Sequence, residues 1–223
     1  MYKIDMHVHT KNVSNCGRID AKEVAQMYKK AGYDSIVITD HYYESLFSKY
    51  DNLTWEEKIN CFLSGYQEAL EEGNNIGLNV LMGIELRFLD YSDDFLVYGI
   101  DREFLYNYKE LYKLGLKGFR DLTKNMDILI YQAHPFRKGM TPAVPELIDG
   151  VEVYNGNPRH DSNNHLAFEY AEKNQLWMTS GSDFHQEEDL GIGGIIVKNK
   201  ITSSQELVAY LRNSGIIEII KKD

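Results

Sequence analysis

The sequence is short of cysteine and of long apolar segments. Two cysteines among 223 residues cannot build a disulfide framework, so we expect the reducing environment of the cytoplasm. No apolar run approaches the length of a membrane span, and the first residues lack the charged-then-apolar order of a signal peptide. The sequence also lacks a linker-like stretch and an internal repeat. We therefore expect residues 1–223 to form a single domain with no membrane partner.

Positive charge is scarce as well. The chain has 24 lysines and arginines against 34 aspartates and glutamates, which gives a formal net charge of -10. Such a chain is not expected to hold a nucleic-acid polymer across a broad basic surface. A small anionic substrate is compatible with this charge, because bound metal ions can invert the local field.

Short apolar runs alternate with helical patterns along the chain. The β-branched run "SIVIT" (35–39) is typical of a buried parallel strand. Further strands are predicted at 2–6, 78–86, 95–100, 128–133, 150–155, 176–180 and 193–198. Helices are predicted at 54–73, 164–174 and 203–212, with another that begins at Asp20 and has Glu23 as a capping-box partner. This alternation predicts parallel βαβ units, in a barrel or an open doubly wound sheet. The open sheet usually has a glycine-rich first turn, and "HVHT" at this point favours the barrel.

Histidines and carboxylates recur where the predicted strands end. His7 and His9 are on alternate residues, so a strand would point both side chains to one face. Taken alone, the pair could be core histidines or a metal clamp. In a barrel, the carboxyl ends of the strands meet at one face, where active sites collect their residues. Five of the seven histidines and two carboxylates occupy such ends, which predicts a site for two or three ions: His7, His9, His41, Glu85, His134, Asp183 and His185.

The residues at these positions favour metal binding over serine-hydrolase chemistry. Glu85 ends an apolar strand and needs a buried partner, which a position bridging two cations would supply. The absence of thiolate pairs favours zinc, manganese or iron(II). The stretch "SGSDFH" lacks the nucleophile elbow of serine hydrolases.

Arginine suits phosphate recognition, and the residues near the motifs that could contact an anion are Arg137, Arg18, Arg159 and His160.

The motifs "DMHVHT", "ITDH", "GIE", "AHP" and "GSDFH", in this order, closely resemble the polymerase-and-histidinol-phosphatase (PHP) family of metal-dependent phosphoesterases. The resemblance runs from Asp5 to His185 and on into "DLGIGG". It implies an α/β fold, a distorted (β/α)7 barrel. It also implies a site for two or three metal ions at the C-terminal ends of the strands. This site would hydrolyse phosphate esters.

The resemblance also implies a role for each motif residue. His7, His9 and Asp183 would bind the first metal ion, Glu85 would bridge the first and second, and His134 would bind the second. His41 and His185 would bind the third. Two positions depart from the family pattern. Asp94 stands where a family histidine serves the second metal, and it can still act as a ligand. Cys16 stands where an acidic residue or histidine often serves the third.

The leading expectation is a phosphatase that acts on a small monoester, similar to histidinol phosphate or to a nucleotide. A hydroxide held between the first two metals would attack phosphorus, with Arg137 neutralising the developing charge. The leaving group would face the third metal, or take a proton from His185 or His41. Two alternatives are a metal-dependent amidohydrolase and a non-catalytic, metal-binding regulatory module. An exonuclease is disfavoured, because basic tracks and stacking platforms are missing.

Overall fold

The structure is a computed structural model that describes residues 1–89, 91–213, 216 and 218–221. Its strands are β1 (Tyr2–Val8), β2 (Ser35–Ile38), β3 (His41–Tyr42), β4 (Asn79–Arg87), β5 (Asp94–Tyr98), β6 (Leu129–Gln132), β7 (Gly150–Asn155), β8 (Trp177–Gly181), β9 (Gly193–Val197) and β10 (Glu218–Lys221). Its helices are α1 (Ala21–Lys30), α2 (Glu44–Phe47), α3 (Trp55–Phe62), α4 (Ser64–Ile76), α5 (Arg102–Asn107), α6 (Gly115–Thr123), α7 (Asn164–Asn174) and α8 (Ser204–Asn213). Within these ranges no helix is long and apolar enough to cross a membrane.

The strands form one sheet that curls into a nearly closed barrel. Their order is β10-β9-β1-β2-β4-β5-β6-β7-β8, and β3 pairs with the end of β4. Beyond β8 the chain returns to β1, where Phe184 N donates to His7 O and His9 N donates to Phe184 O. These bonds bring the segment after β8 against β1, beside the predicted histidines. The prediction of an α/β barrel is confirmed.

The parallel pairing expected for βαβ units does not extend to the whole sheet. β5 runs antiparallel to β4 and β6, and β9 runs antiparallel to β1 and β10. Residues 88–93 join β4 to β5, and this connection is too short for the crossover that a parallel pair requires. The reversal has a consequence for the site. Asp94 begins β5, so it lies opposite Arg87 at the end of β4.

The capping box predicted at the start of α3 is present, and the one predicted at the start of α1 is not. Thr54 and Glu57 form the predicted capping box, but the helix expected over 54–73 is divided at Leu63 into α3 and α4. Asp20 makes no side-chain cap for α1. The Asn12 side chain accepts from Ala21 N instead, 2.9 Å away, because the loop after β1 folds back over the helix start. The cap therefore depends on a contact nine residues away in the chain.

The core lies on both faces of the sheet. All residues of β2 and β5 are buried, as expected for strands covered on both sides. Ile4, Met6, Leu81, Leu96 and Leu129 belong to one fully buried cluster, and burying each such side chain contributes about 1.5–3 kcal/mol. This packing holds the strand ends, and the polar side chains on them, in fixed positions.

Candidate metal centre

Two pairs of residues, His7 with His9 and Asp183 with His185, meet where the barrel closes. Val8 and Phe184 are buried and form a parallel bridge, so the residues on either side of each project together. His7 Nε2 and His9 Nε2 lie 3.5 and 3.4 Å from Asp183 Oδ1. Asp183 has a φ of 51°, in the left-handed region that a non-glycine residue seldom adopts. Such backbone strain is typical of functional sites, and here it aims a carboxylate at two imidazoles.

The hydrogen bonds of His7 determine which of its nitrogens can bind a cation. Its Nδ1 lies 3.0 Å from Glu152 Oε1, and a carboxylate oxygen only accepts. In the neutral imidazole the proton is therefore on Nδ1, and the Nε2 lone pair points into the cluster. Burial acts to lower the pKa of His7, but the charges of Glu152, Asp183 and Glu85 raise it well above its usual value. The same negative charges favour a bound cation.

His9 is oriented in the same way through Ser14. The Ser14 hydroxyl donates its hydrogen to Asp40 Oδ1, 2.7 Å away, so it can only accept from His9 Nδ1 at 3.3 Å. The Nε2 atoms of His7 and His9 then face each other 3.0 Å apart. Two lone pairs at that distance repel unless a proton or a cation lies between them. Burial, followed by the charges of His41 and His185, lowers the pKa of His9 well below its usual value. His7 and His9 could hold a divalent cation together, and such a cation would remove this repulsion.

Glu85 lies at the centre of the cluster and is 1% exposed. Its register opposite His41 is set by the pairing of β3 with β4. The Oε1 atom lies 3.3 Å from His7 Nε2 and 3.2 Å from His134 Nε2. The Oε2 atom lies 3.4 Å from His9 Nε2 and 2.6 Å from His41 Nδ1. One carboxylate thus contacts four imidazoles.

The charge and hydrogen bonding of Glu85 fit a bridging ligand. Burial acts to raise its pKa, but His41 and His7 lower it well below the usual value, so the carboxylate is ionised. Glu85 Oε2 and His41 Nδ1 are buried and make no well-aligned hydrogen bond, although they lie 2.6 Å apart. A cation that binds both atoms would supply the missing partner. Nitrogen and carboxylate donors of this kind suit zinc, manganese and iron(II).

Asp94 reaches the same region but already has a partner. Arg87 Nε and Nη2 each donate to one of its carboxylate oxygens at 2.7 Å. One ligand atom each from His41, Glu85 and Asp94 also lies within 4.8 Å of the others. Each carboxylate oxygen has a second lone pair, so the pairing with arginine does not use up Asp94. Its role as a metal ligand stays a prediction.

A third group of donors lies at the solvent side of the cluster. His9, His41 and His185 bring one nitrogen each within 4.8 Å of the others. His185 Nδ1 donates to the Asp183 backbone oxygen at 2.7 Å, so the lone pair of the neutral imidazole is on Nε2. Cys16 is exposed beside this group. Burial acts to raise the pKa of its thiol, but hydrogen bonds with His185 and His41 lower it to about 6.

The cluster opens into a cavity of about 580 Å³ that contains all four predicted anion-binding residues: Arg18, Arg137, Arg159 and His160. Arg137 Nη2 donates to Asp183 Oδ2 at 2.8 Å and to Asn155 Oδ1 at 2.9 Å, and its buried Nε has no partner. Both Nη atoms of Arg159 donate to Asp189. The Arg18 side chain is exposed at the rim. The structure therefore brings the predicted site residues together, and their individual roles stay predictions.

Sequence reasoning missed Glu152. This carboxylate is fully buried in β7, and it accepts from His7 Nδ1, from His134 N at 3.1 Å and from Asn155 Nδ2 at 2.9 Å. It lies behind His7 and fixes the orientation of that imidazole, as the outer partners of metal-binding histidines do. The signal was present in the sequence, because "EVYN" is another polar strand end, but no partner for Glu152 could be named.

Imidazoles and carboxylates thus lie together where the α/β barrel closes, in groups that could hold metal ions. The family model of the PHP domain matches residues 5–219. The chain belongs to the PHP domain family. The comparison with curated proteins finds no match.

Solved structures share the fold at low sequence identity. A two-domain protein from Bacteroides vulgatus ATCC 8482, containing a predicted PHP-like metal-dependent phosphoesterase, has a TM-score of 0.69 at 19% identity; the match covers 96% of this chain but 63% of that one. A proposed metal-dependent phosphoesterase from Bifidobacterium adolescentis ATCC 15703 has a TM-score of 0.55 at 17% identity, over 94% and 95% of the two chains. An amidohydrolase from Chromobacterium violaceum, with bound sulfate and no metal, has a TM-score of 0.57 at 16% identity, over 96% and 97%.

Proposed function

We propose that this chain hydrolyses a small phosphate monoester, of the histidinol-phosphate or nucleotide type, with divalent metal ions. One observation carries the proposal. The buried, ionised Glu85 contacts four imidazoles, and this cluster opens directly into an arginine-lined cavity. PHP membership supports a metal-dependent phosphoesterase. The arginines add a reason to expect a phosphorylated substrate, because a guanidinium matches phosphate geometry.

The protein groups position the substrate against the cluster. When bound, divalent cations supply an activated water and neutralise charge on the phosphoryl oxygens. Arg137 is held between Asp183 and Asn155 and lines the cavity, so its guanidinium group is positioned to contact a phosphoryl oxygen. His41 and His185 line the same cavity. The leaving oxygen would lie against His41 and His185. It would take a proton from His185, or it would face a cation bound by these two histidines.

The dimensions of the cavity favour a small substrate. A volume of about 580 Å³ falls within the range of about 300–1,000 Å³ that is usual for small-molecule sites. The net charge of -10 would repel a long polyanion outside the cavity. Inside it, arginines and bound cations would reverse the local field.

Hydrolysis of a panel of phosphate monoesters, including p-nitrophenyl phosphate, tests the proposal. The protein is stripped of metal and reloaded with manganese, zinc or iron(II). We expect turnover only after reloading, and we expect Glu85→Gln to abolish it while the fold is kept. Glu68→Gln, on the exposed face of α4, is the matched control and should retain full turnover. Undiminished hydrolysis by Glu85→Gln at equal metal content would contradict the proposal.

The amidohydrolase from Chromobacterium violaceum makes amide hydrolysis the second candidate. The same loaded protein is therefore assayed against N-acyl amino acids and cyclic amides. Amide hydrolysis without any phosphate release would replace the proposal. Metal binding without hydrolysis of either class would favour a regulatory binding module.

A further inference from the structure

Asn155 ends β7, and its backbone is held in place by the chain around it. Asn155 N donates to Asn164 Oδ1 at 3.0 Å, and Asn164 Nδ2 donates back to Asn155 O at 3.1 Å. Gly156 N donates to Gly181 O at 2.9 Å, and a Cβ atom on Gly156 would lie 2.5 Å from the Ile192 backbone. The buried side chain of Asn155 therefore projects from a fixed point.

The two ends of the Asn155 amide face opposite kinds of partner. Its Oδ1 accepts from Arg137 Nη2 at 2.9 Å, from Asn157 N at 3.1 Å and from the Ser162 hydroxyl at 3.4 Å. Its Nδ2 donates to Glu152 Oε2 at 2.9 Å. Turning the amide over would set its NH2 group against N–H donors and its oxygen against a carboxylate. The position therefore needs one acceptor and one donor on a single short side chain.

Asn155 closes a ring of contacts that joins the metal cluster to the cavity. On one side, Glu152 accepts from His7 Nδ1 at 3.0 Å. On the other side, Arg137 Nη2 donates to Asp183 Oδ2 at 2.8 Å as well as to Asn155. Asp183 Oδ1 in turn lies 3.5 Å from His7 Nε2. Both bonds of the Asn155 side chain within the ring have a charged partner, which makes them stronger than bonds between neutral groups.

We propose that Asn155 is a positioning residue that couples the anion-binding side of the site to its metal-binding side. Its oxygen holds Arg137 for the phosphate of the substrate. Its NH2 group holds Glu152, and through Glu152 it holds the ring of His7. The inference rests on the proposed function, because it assigns Arg137 to the substrate anion. Its tests measure binding and not turnover, so either can fail without the other.

Binding of inorganic phosphate to the zinc-saturated protein, measured by calorimetry, tests the anion-binding side. Asn155→Ala should lower phosphate affinity about tenfold, because Arg137 loses a hydrogen bond that fixes it. The same substitution should have little further effect in an Arg137→Lys background, since Asn155 acts through that guanidinium. Asn74→Ala, on the exposed face of α4, is the matched control and should bind phosphate as the wild type does. Equal losses from Asn155→Ala in both backgrounds would overturn the proposal.

Zinc affinity, measured by competition with a chromophoric chelator, tests the metal-binding side. Asn155→Ala should lower it about tenfold, since the carboxylate that orients His7 loses its own support. In a Glu152→Gln background the further loss should be clearly smaller, because both substitutions act through the same imidazole. Fully additive losses in the double variant, or an unchanged zinc affinity in Asn155→Ala, would overturn the proposal.

Nuclear magnetic resonance of the zinc-loaded wild-type protein tests the arrangement without a substitution at Asn155. A guanidinium held by hydrogen bonds on one Nη atom rotates slowly, so its Nη groups give separate signals, whereas a free guanidinium gives one averaged signal. We expect separate Nη signals for Arg137, assigned by their loss in Arg137→Lys. A single averaged signal would overturn the proposal even if Asn155→Ala failed to fold.

Discussion

Glu152→Gln is expected to weaken metal binding through the tautomer of His7. In the native chain, Glu152 accepts three hydrogen bonds, from His7, from the backbone of His134 and from Asn155. Glutamine keeps the shape of the side chain but has one acceptor oxygen and one donor NH2 group. Placing the NH2 group at the Oε2 position would set it against two donors. The amide therefore turns its NH2 group to His7 Nδ1.

That orientation changes which nitrogen of His7 carries the proton. Nδ1 becomes an acceptor, so the proton moves to Nε2, the atom directed at Glu85 and Asp183. A protonated Nε2 has no lone pair for a metal ion. Loss of an outer carboxylate of this kind typically lowers metal affinity about 10–100-fold. Each tenfold loss corresponds to about 1.4 kcal/mol.

Zinc affinity, measured by competition with a chromophoric chelator, is the assay. Thermal unfolding is followed in parallel. A single mispaired buried group costs about 1–3 kcal/mol, which most folded domains tolerate. Glu68→Gln is the control for removal of a carboxylate outside the cluster. A folded Glu152→Gln protein that binds zinc as tightly as the wild type would refute the reasoning.

Two further predictions concern protons and the substrate anion. Burial acts to lower the pKa values of His7 and His41. Nearby carboxylates nevertheless raise both pKa values well above the usual value, with Glu152 the strongest of these for His7 and Glu85 for His41. Protons therefore compete with the ion, and calorimetric zinc affinity should rise as the pH increases from 6 towards those raised pKa values; a flat profile would contradict this. Arg137→Lys should raise KM for the phosphate monoester about tenfold, since lysine cannot keep Asp183 and Asn155 while contacting phosphate. An unchanged KM would remove Arg137 from the substrate site.

The sequence was sufficient to predict the barrel and the members of the cluster. Alternation places His7 and His9 on one face, and the barrel brings strand ends together, so neither inference needed knowledge of long-range contacts. Asp94 shows the limit. Its place at the site depends on the reversal of β5, which follows from the short connection before it.

Partnerships between distant residues could not be predicted. Glu152 supports His7 across 145 positions of the chain, and Arg137 pairs with Asp183 across 46. No local pattern specifies such pairs, because they depend on how the strands are ordered around the barrel. The helical pattern over 54–73 likewise gave no sign of its division at Leu63, a buried residue whose φ of -80° and ψ of 0° lie outside the α-helical region.

Anomalous diffraction from crystals of the zinc-loaded protein with inorganic phosphate tests the central claim most directly. We predict one ion bound by His7, His9 and Asp183, and a further ion that shares Glu85 with it. The phosphate should lie between the ions and Arg137. Phosphate monoester turnover by a zinc-loaded protein whose crystals show no ion within bonding distance of Glu85 would contradict the account.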